Sequence, residues 1–166
     1  TIGAYTIIGP FCVIGEAPEL KGYPGPGFGV VIGEGCYLTK SVVVDSGTQA
    51  PTRIDDGAYL MSGSHVGHDA YIGKEVTMSP KAVVGGHCHI WAYAVMGIGS
   101  GTHQHTELPP GAMLGAGAFL TKKCQPEPFT IYIGNGQRLR ENTKAIEAVG
   151  EEKERYWRNL WNLRNE

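Results

Sequence analysis

Three histidines in this chain have the residue type and spacing to share one chemical task. His68, His87 and His103 follow one another at steps of nearly equal length. His65 and Asp69 flank the first of them, and Gln104 and His105 follow the last. A neutral imidazole suits general-base work near neutrality, because no other unperturbed side chain changes charge in that range. Asp69 beside His68 could orient its ring, although a Gly67-His68-Asp69 turn explains the aspartate equally well. For His89 and His105 taken singly, exposed turn positions are the better expectation. Whether three histidines act together depends on an element that carries residues so far apart in the chain onto one edge.

The sequence supplies such an element through a repeat of six. Ile54, Leu60, Val66, Ile72, Met78, Val84, Ile90 and Met96 are all apolar at strict six-residue spacing. The next residue is usually small or turn-forming (Asp55, Gly67, Gly73, Gly85, Gly97), and the fifth is small or β-branched (Ala58, Ala70, Val76, Ala82, Ala94). The pattern also opens the chain at Ile2-Gly3 and Ile8-Gly9 and returns at Ile32, Leu108 and Leu114. A period of six fits neither the 3.6 of a helix nor simple two-sided alternation. It fits a short strand plus a turn, three of which close a triangular coil of about 18 residues with the repeated aliphatics stacked inside, the hexapeptide β-helix. Each step between the three histidines is about one such coil, which puts His68, His87 and His103 along one edge, roughly one strand spacing apart. The expected fold is therefore an all-β solenoid, a parallel β-helix of hexapeptide repeats spanning 1–125, with a short C-terminal α-helical segment.

Two stretches break the register. Residues 16–29, EAPELKGYPGPGFG, carry prolines and glycines that cannot support a continuous ladder, so a loop is expected there. A shorter break lies around Gly47 to Arg53. After Cys124-Gln125-Pro126 the repeat stops and a tail over 126–166 begins. Its apolar residues from Ile146 to Leu163 recur at helical spacing, with Gly150 dividing two helices expected to cap the open end of the solenoid.

Composition narrows the function classes. A formal charge of −2 on 166 residues argues against the basic stripe of a nucleic-acid binder. The four cysteines stand far apart without a C-x-x-C pair, which points to a reduced, cytoplasmic setting. No apolar run approaches the length of a bilayer span, so no membrane insertion is expected.

Ser64-His65-Val66-Gly67-His68-Asp69, Gly86-His87, Thr102-His103-Gln104 and Glu19-Leu20-Lys21 together resemble the UDP-N-acetylglucosamine O-acyltransferases of lipid A synthesis. The resemblance covers about residues 1 to 145 and implies a left-handed coil. It assigns His68 as the general base that deprotonates a sugar hydroxyl for attack on an acyl thioester. It makes His65, Asp69, His87, His103 and Gln104 binding residues and puts Glu19 and Lys21 on the sugar nucleotide, where the family usually has Asp-Leu-Lys. It also implies a homotrimer with sites between subunits, no bound cofactor and no metal, with an acyl carrier protein or coenzyme A thioester as co-substrate. A small residue of a late coil sets acyl-chain length in that family, and Ala118 is expected in that role. Leu108-Pro109-Pro110-Gly111-Ala112 reads instead like acetyl-CoA-dependent hexapeptide acetyltransferases, which leaves the donor open. Rival readings are a zinc carbonic anhydrase-like trimer, disfavoured by the absence of a His-x-x-x-x-His spacing, and a non-catalytic scaffold, disfavoured by the converging histidines.

Overall fold

The structure, a computed structural model, describes residues 1–165; Glu166, the last residue of the expected tail, lies outside the described residues. The hexads fold as expected into a left-handed parallel β-helix, whose short strands form three parallel sheets. In regular coils each strand pairs with the third strand after it, one full coil on: Thr77 pairs with Val95, His89 with Glu107 and Val83 with Gly101. Each sheet sends one column of side chains inward. Ile32, Ile54, Ile72, Ile90 and Leu108 form one, Leu38, Leu60, Met78, Met96 and Leu114 a second, and Val44, Val66, Val84 and Leu120 a third, all nearly inaccessible to solvent. Burying side chains of this size contributes roughly 1.5–3 kcal/mol each, so the six-residue period is an energetic requirement.

The corners between strands impose a second period. Every sixth residue from Gly57 to Gly117 has a left-handed backbone, and Asp69, Glu75, Lys81, His87, Tyr93 and His105 hold this conformation without being glycine. A non-glycine there costs about 1–2 kcal/mol. Glycine is needed for a different reason just after the inward aliphatic: a Cβ on Gly85 would lie 2.7 Å from the Gln104 backbone nitrogen of the next coil.

Both expected breaks are loops that leave the ladder intact. Ile7 pairs with Tyr37, well beyond the reach of a regular coil, because the 16–29 loop is thrown out between them. Tyr37 pairs with Tyr59, again further along than a regular coil would place it, because of the break at 47–50.

The end of the solenoid departs from expectation in two ways. The ladder continues past residue 125: Thr130–Ile133 pairs in parallel with Met113–Leu114, and only then does Gln137–Glu141 turn back antiparallel. The prolines of 126–128 interrupt the repeat without ending the sheet. The tail does form two helices, α1 (Thr143–Val149) and α2 (Glu151–Asn165), divided by Gly150. However, α2 lies along a flank and does not cross the open end. Trp157 and Trp161 meet Trp91 edge-on, and Arg164 lies over the Trp91 ring and pairs with Glu107. Phe129, at the corner one coil beyond Gly111, is fully buried beneath Arg158 of this helix.

Candidate active site

The polar edge is built at one corner of the prism. Asp69, His87 and His105 occupy the same left-handed corner of three successive coils. Parallel pairing then stacks them, with the His87 backbone N–H donating to the His68 carbonyl and that of His105 to the Gly86 carbonyl. The rings of His68 and His87 meet edge to face at 5.0 Å, and those of His87 and His105 stack at 4.6 Å.

The third member of the stack is therefore His105, not the expected His103. His103 lies just before the corner, is exposed, and turns its Nδ1 to the Gln104 carbonyl. Gln104 is exposed one coil beyond Gly86, whose own place in the preceding coil is taken by His68. Counting forward from Asp69 in whole coils would have found His105 in the sequence.

His68 and Asp69 form the tightest unit, with His68 Nδ1 2.8 Å from Asp69 Oδ2 and side chains only 12% and 6% exposed. The carboxylate has further partners that the sequence did not reveal. The backbone N–H of Thr48 and its hydroxyl both donate to Oδ2, at 2.8 and 2.7 Å. The N–H groups of Gln49 and Ala50 donate to Oδ1, at 2.8 and 3.1 Å. The Asp69 N–H in turn donates to the Thr52 hydroxyl. Burial pushes the Asp69 carboxyl upward, but the Thr48 hydroxyl, the Gln49 and Thr48 N–H groups and His68 outweigh it and hold the acid well below the usual carboxylate range.

An ionised carboxylate only accepts. His68 must therefore carry its proton on Nδ1, which leaves the Nε2 lone pair of the neutral ring free to take another. The ring lies directly against Gly86, where a Cβ would fall 2.7 Å from both Nε2 and Cε1, so this face of the ring requires glycine. His87 Nε2 lies 3.8 Å from Asp69 Oδ2, on the other side of the carboxylate.

In the strand just before His68, His65 Nε2 lies 3.2 Å from Oδ2 of Asp45 on the preceding coil, and the Glu19 carboxylate from the 16–29 loop comes within 4.8 Å of this pair. The hydrogen bond that His65 donates to Asp45, itself almost inaccessible, raises the His65 pKa against the opposing effect of burial. Lys21 is exposed further along the same loop. The loop acid and His65 thus lie together, with Asp45 a partner that the sequence did not mark.

Ala118 is misplaced for a chain-length ruler. It is 1% exposed and belongs to the interior stack, so its methyl group faces the prism core and no groove outside it. A groove of about 970 Å³ does begin at His105 and runs between the last coil and α2, past Leu120, Lys122, Cys124 and Trp161.

His68, Asp69 and His87 are close enough to share a metal ion. The donor set fits this poorly, because five donors already occupy the Asp69 oxygens and Asp69 holds His68 Nδ1. The arrangement matches an oriented proton acceptor, which separates it from a three-histidine zinc site.

A hexapeptide coil with a histidine–aspartate pair on one edge places the chain among left-handed β-helix proteins, and comparison with known proteins gives the family. No family model matches the chain. It is 35% identical over 123 residues to the acyl-[acyl-carrier-protein]–UDP-N-acetylglucosamine O-acyltransferase of Paracoccus denitrificans, covering 72% of this chain and 47% of that protein. To the enzyme of that name from Verminephrobacter eiseniae it is 30% identical over 146 residues, covering 84% and 54%. Among solved structures it superposes on a UDP-N-acetylglucosamine acyltransferase with a TM-score of 0.84 at 26% identity, covering 97% of this chain and 63% of that one. On the UDP-N-acetylglucosamine O-acyltransferase from Moraxella catarrhalis RH4 the TM-score is 0.83 at 24% identity, covering 98% and 65%. The chain is a relative of the UDP-N-acetylglucosamine O-acyltransferase family, and it spans about half the length of the curated relatives it matches.

Proposed function

We propose that this chain carries an acyltransfer site, moving an acyl group from a carrier-protein or coenzyme A thioester to a hydroxyl of a UDP-N-acetylglucosamine-like sugar nucleotide. The observation that carries the reading is the His68–Asp69 pair, whose hydrogen bond leaves Nε2 as the free acceptor. In this mechanism the sugar hydroxyl oxygen attacks the thioester carbonyl while its proton passes to His68 Nε2. Collapse of the tetrahedral intermediate breaks the carbon–sulfur bond, and the imidazolium returns the proton to the departing thiolate. Asp69 stays ionised throughout and stabilises the imidazolium, as in other oriented histidine bases.

The remaining site residues divide by place. Glu19 and Lys21 on the loop, with His65 raised toward its cationic form by Asp45, take the nucleotide end. His87, His103 and Gln104 line the approach to His68, and the groove beyond His105 suits the thioester arm. The exposed edge provides one wall, and a homotrimer would supply the other from a neighbouring copy. No resident cofactor or metal enters the reaction, and the setting is the reduced cytoplasm, consistent with four free cysteines. Among the described residues no helix is long and apolar enough to cross a membrane.

The test is thiol release by the purified protein with UDP-N-acetylglucosamine and either an acyl carrier protein or a coenzyme A thioester. Sugar-dependent release that disappears in His68→Ala supports the reading, and the two donors separate the carrier-protein form from the acetyl-CoA-dependent one. Release that survives His68→Ala, or none with either donor, overturns it.

A further inference from the structure

The extra residues that lengthen one coil emerge at a telling place. Asp69, His87 and His105 mark one corner of successive coils, and the same corner of the coil before Asp69 is where the chain detours through Gly47–Ala50. Asp69 is thus enclosed from both sides, by the detour below and by His87 above. The detour is tightly shaped. A Cβ on Gly47 would sit 1.6 Å from the Ala50 carbonyl oxygen, so the turn requires glycine. Its geometry aims three consecutive N–H groups and the Thr48 hydroxyl at one carboxylate. Such converging N–H groups form an anion-binding concavity, here filled by the protein's own aspartate.

The detour is in turn braced by the nucleotide loop. The Phe28 N–H donates to the Gly47 carbonyl at 2.8 Å, and the Gly29 N–H to the Ser46 hydroxyl at 2.6 Å. Hydrogen bonds therefore tie the 16–29 loop to Gly47, and those of the adjacent Thr48 carry the connection on to Asp69 and His68.

We propose that the Gly47–Ala50 detour is a positioning element for the base, and that Thr48 is a positioning residue that acts through Asp69 to hold His68 with Nε2 outward. The proposal rests on the general-base reading of His68. Thr48 touches no reacting atom; it and the adjacent N–H groups immobilise the carboxylate, and an immobilised carboxylate selects one tautomer and one ring orientation. Thr48→Val keeps the shape and the backbone donor but loses the hydroxyl, so it weakens this hold without emptying the corner.

Two measurements on the full chain decide the matter. In steady-state kinetics Thr48→Val should lower kcat by roughly 10- to 150-fold, the range for losing one hydrogen bond to a charged group. KM for UDP-N-acetylglucosamine should stay within about twofold, and Thr48→Ser should recover most of the loss. In the Asp69→Asn background Thr48→Val should add little, because the carboxylate through which it acts is gone. The second measurement needs no substrate: ¹⁵N spectra of the imidazoles should show His68 as the Nδ1–H tautomer in the wild type and shift toward a mixture in Thr48→Val. A wild-type ring protonated on Nε2, Thr48→Val with full kcat, a loss confined to KM, or failure of Thr48→Ser to rescue each overturns the proposal. If the sugar nucleotide is no substrate, the tautomer spectra still decide the positioning role independently.

Discussion

Replacing Asp69 by asparagine probes the site at its most constrained atom. Oδ2 accepts three donors, the Thr48 N–H, the Thr48 hydroxyl and His68 Nδ1, while Oδ1 accepts the Gln49 and Ala50 N–H groups. An asparagine has one oxygen for this task, and four of the five donors come from a loop braced by Phe28 and Gly29. The oxygen should stay with the Gln49 and Ala50 N–H groups, which cannot turn away. The amide NH₂ then faces His68 and the Thr48 N–H. Facing a donor, His68 keeps the contact only by giving up its Nδ1 proton and carrying one on Nε2, the position needed to accept a proton from the sugar. The base is present but in the wrong tautomer, a change that costs about 10⁴ in kcat in the serine-protease triad. We expect a loss of roughly 10² to 10⁴, within the span of general-base catalysis. The orphaned Thr48 N–H should also cost about 1–3 kcal/mol of stability. Thiol-release kinetics on Asp69→Asn alongside urea unfolding separates the two effects. A variant that keeps more than about a tenth of wild-type kcat/KM, above the range for a disabled base, would refute the assignment of the tautomer and of the base.

The other expected outcomes follow from the same geometry. His68→Ala should lose about 10² to 10⁴ in turnover while the fold survives, because His68 stands at the outward edge and the core columns are untouched; a matching loss of secondary structure by circular dichroism would contradict this. Gly86→Ala should impair turnover severely, since its Cβ must displace the His68 ring, and wild-type kinetics would show that the ring has freedom the packing denies. Lys21→Ala should raise KM for the sugar nucleotide more than it lowers kcat, as expected of a charge-assisted contact made in ground and transition states alike; an unchanged KM would remove Lys21 from the nucleotide site. His89 is packed between Tyr71 and Trp91, and burial lowers its pKa from 6.5 to about 4. The unfolded chain therefore takes up this proton first as pH falls, so the contribution is complete above about 6.5 and is lost toward about 4. Urea midpoints should drop over that window in the wild type and less in His89→Phe, and equal drops would show that other groups control acid stability.

The sequence by itself determined the solenoid, because a hexad leaves only one way to bury Ile54, Leu60, Val66 and their successors in common columns. It also singled out His68 and Asp69, the loop at 16–29 and the division of the tail helices at Gly150, all marked by local residue chemistry. Corner membership was legible as well, in the equal steps from Asp69 to His87 to His105, but motif spacing drew attention to His103 instead. Tertiary structure alone decided which groups complete the site. Thr48, Gln49 and Ala50 carry no signal of their own, since most of what they contribute is backbone N–H groups that any residue other than proline supplies; only the pitch of the coil brings them under Asp69. The same holds for Asp45 beside His65, for Gly86 against the His68 ring, and for the inward turn of Ala118. It holds too for α2, whose tryptophans meet Trp91 on the flank. Periodic burial is written in the order of residues, whereas contacts between successive coils depend on where each extra residue leaves the repeat, and that is settled when the coils stack.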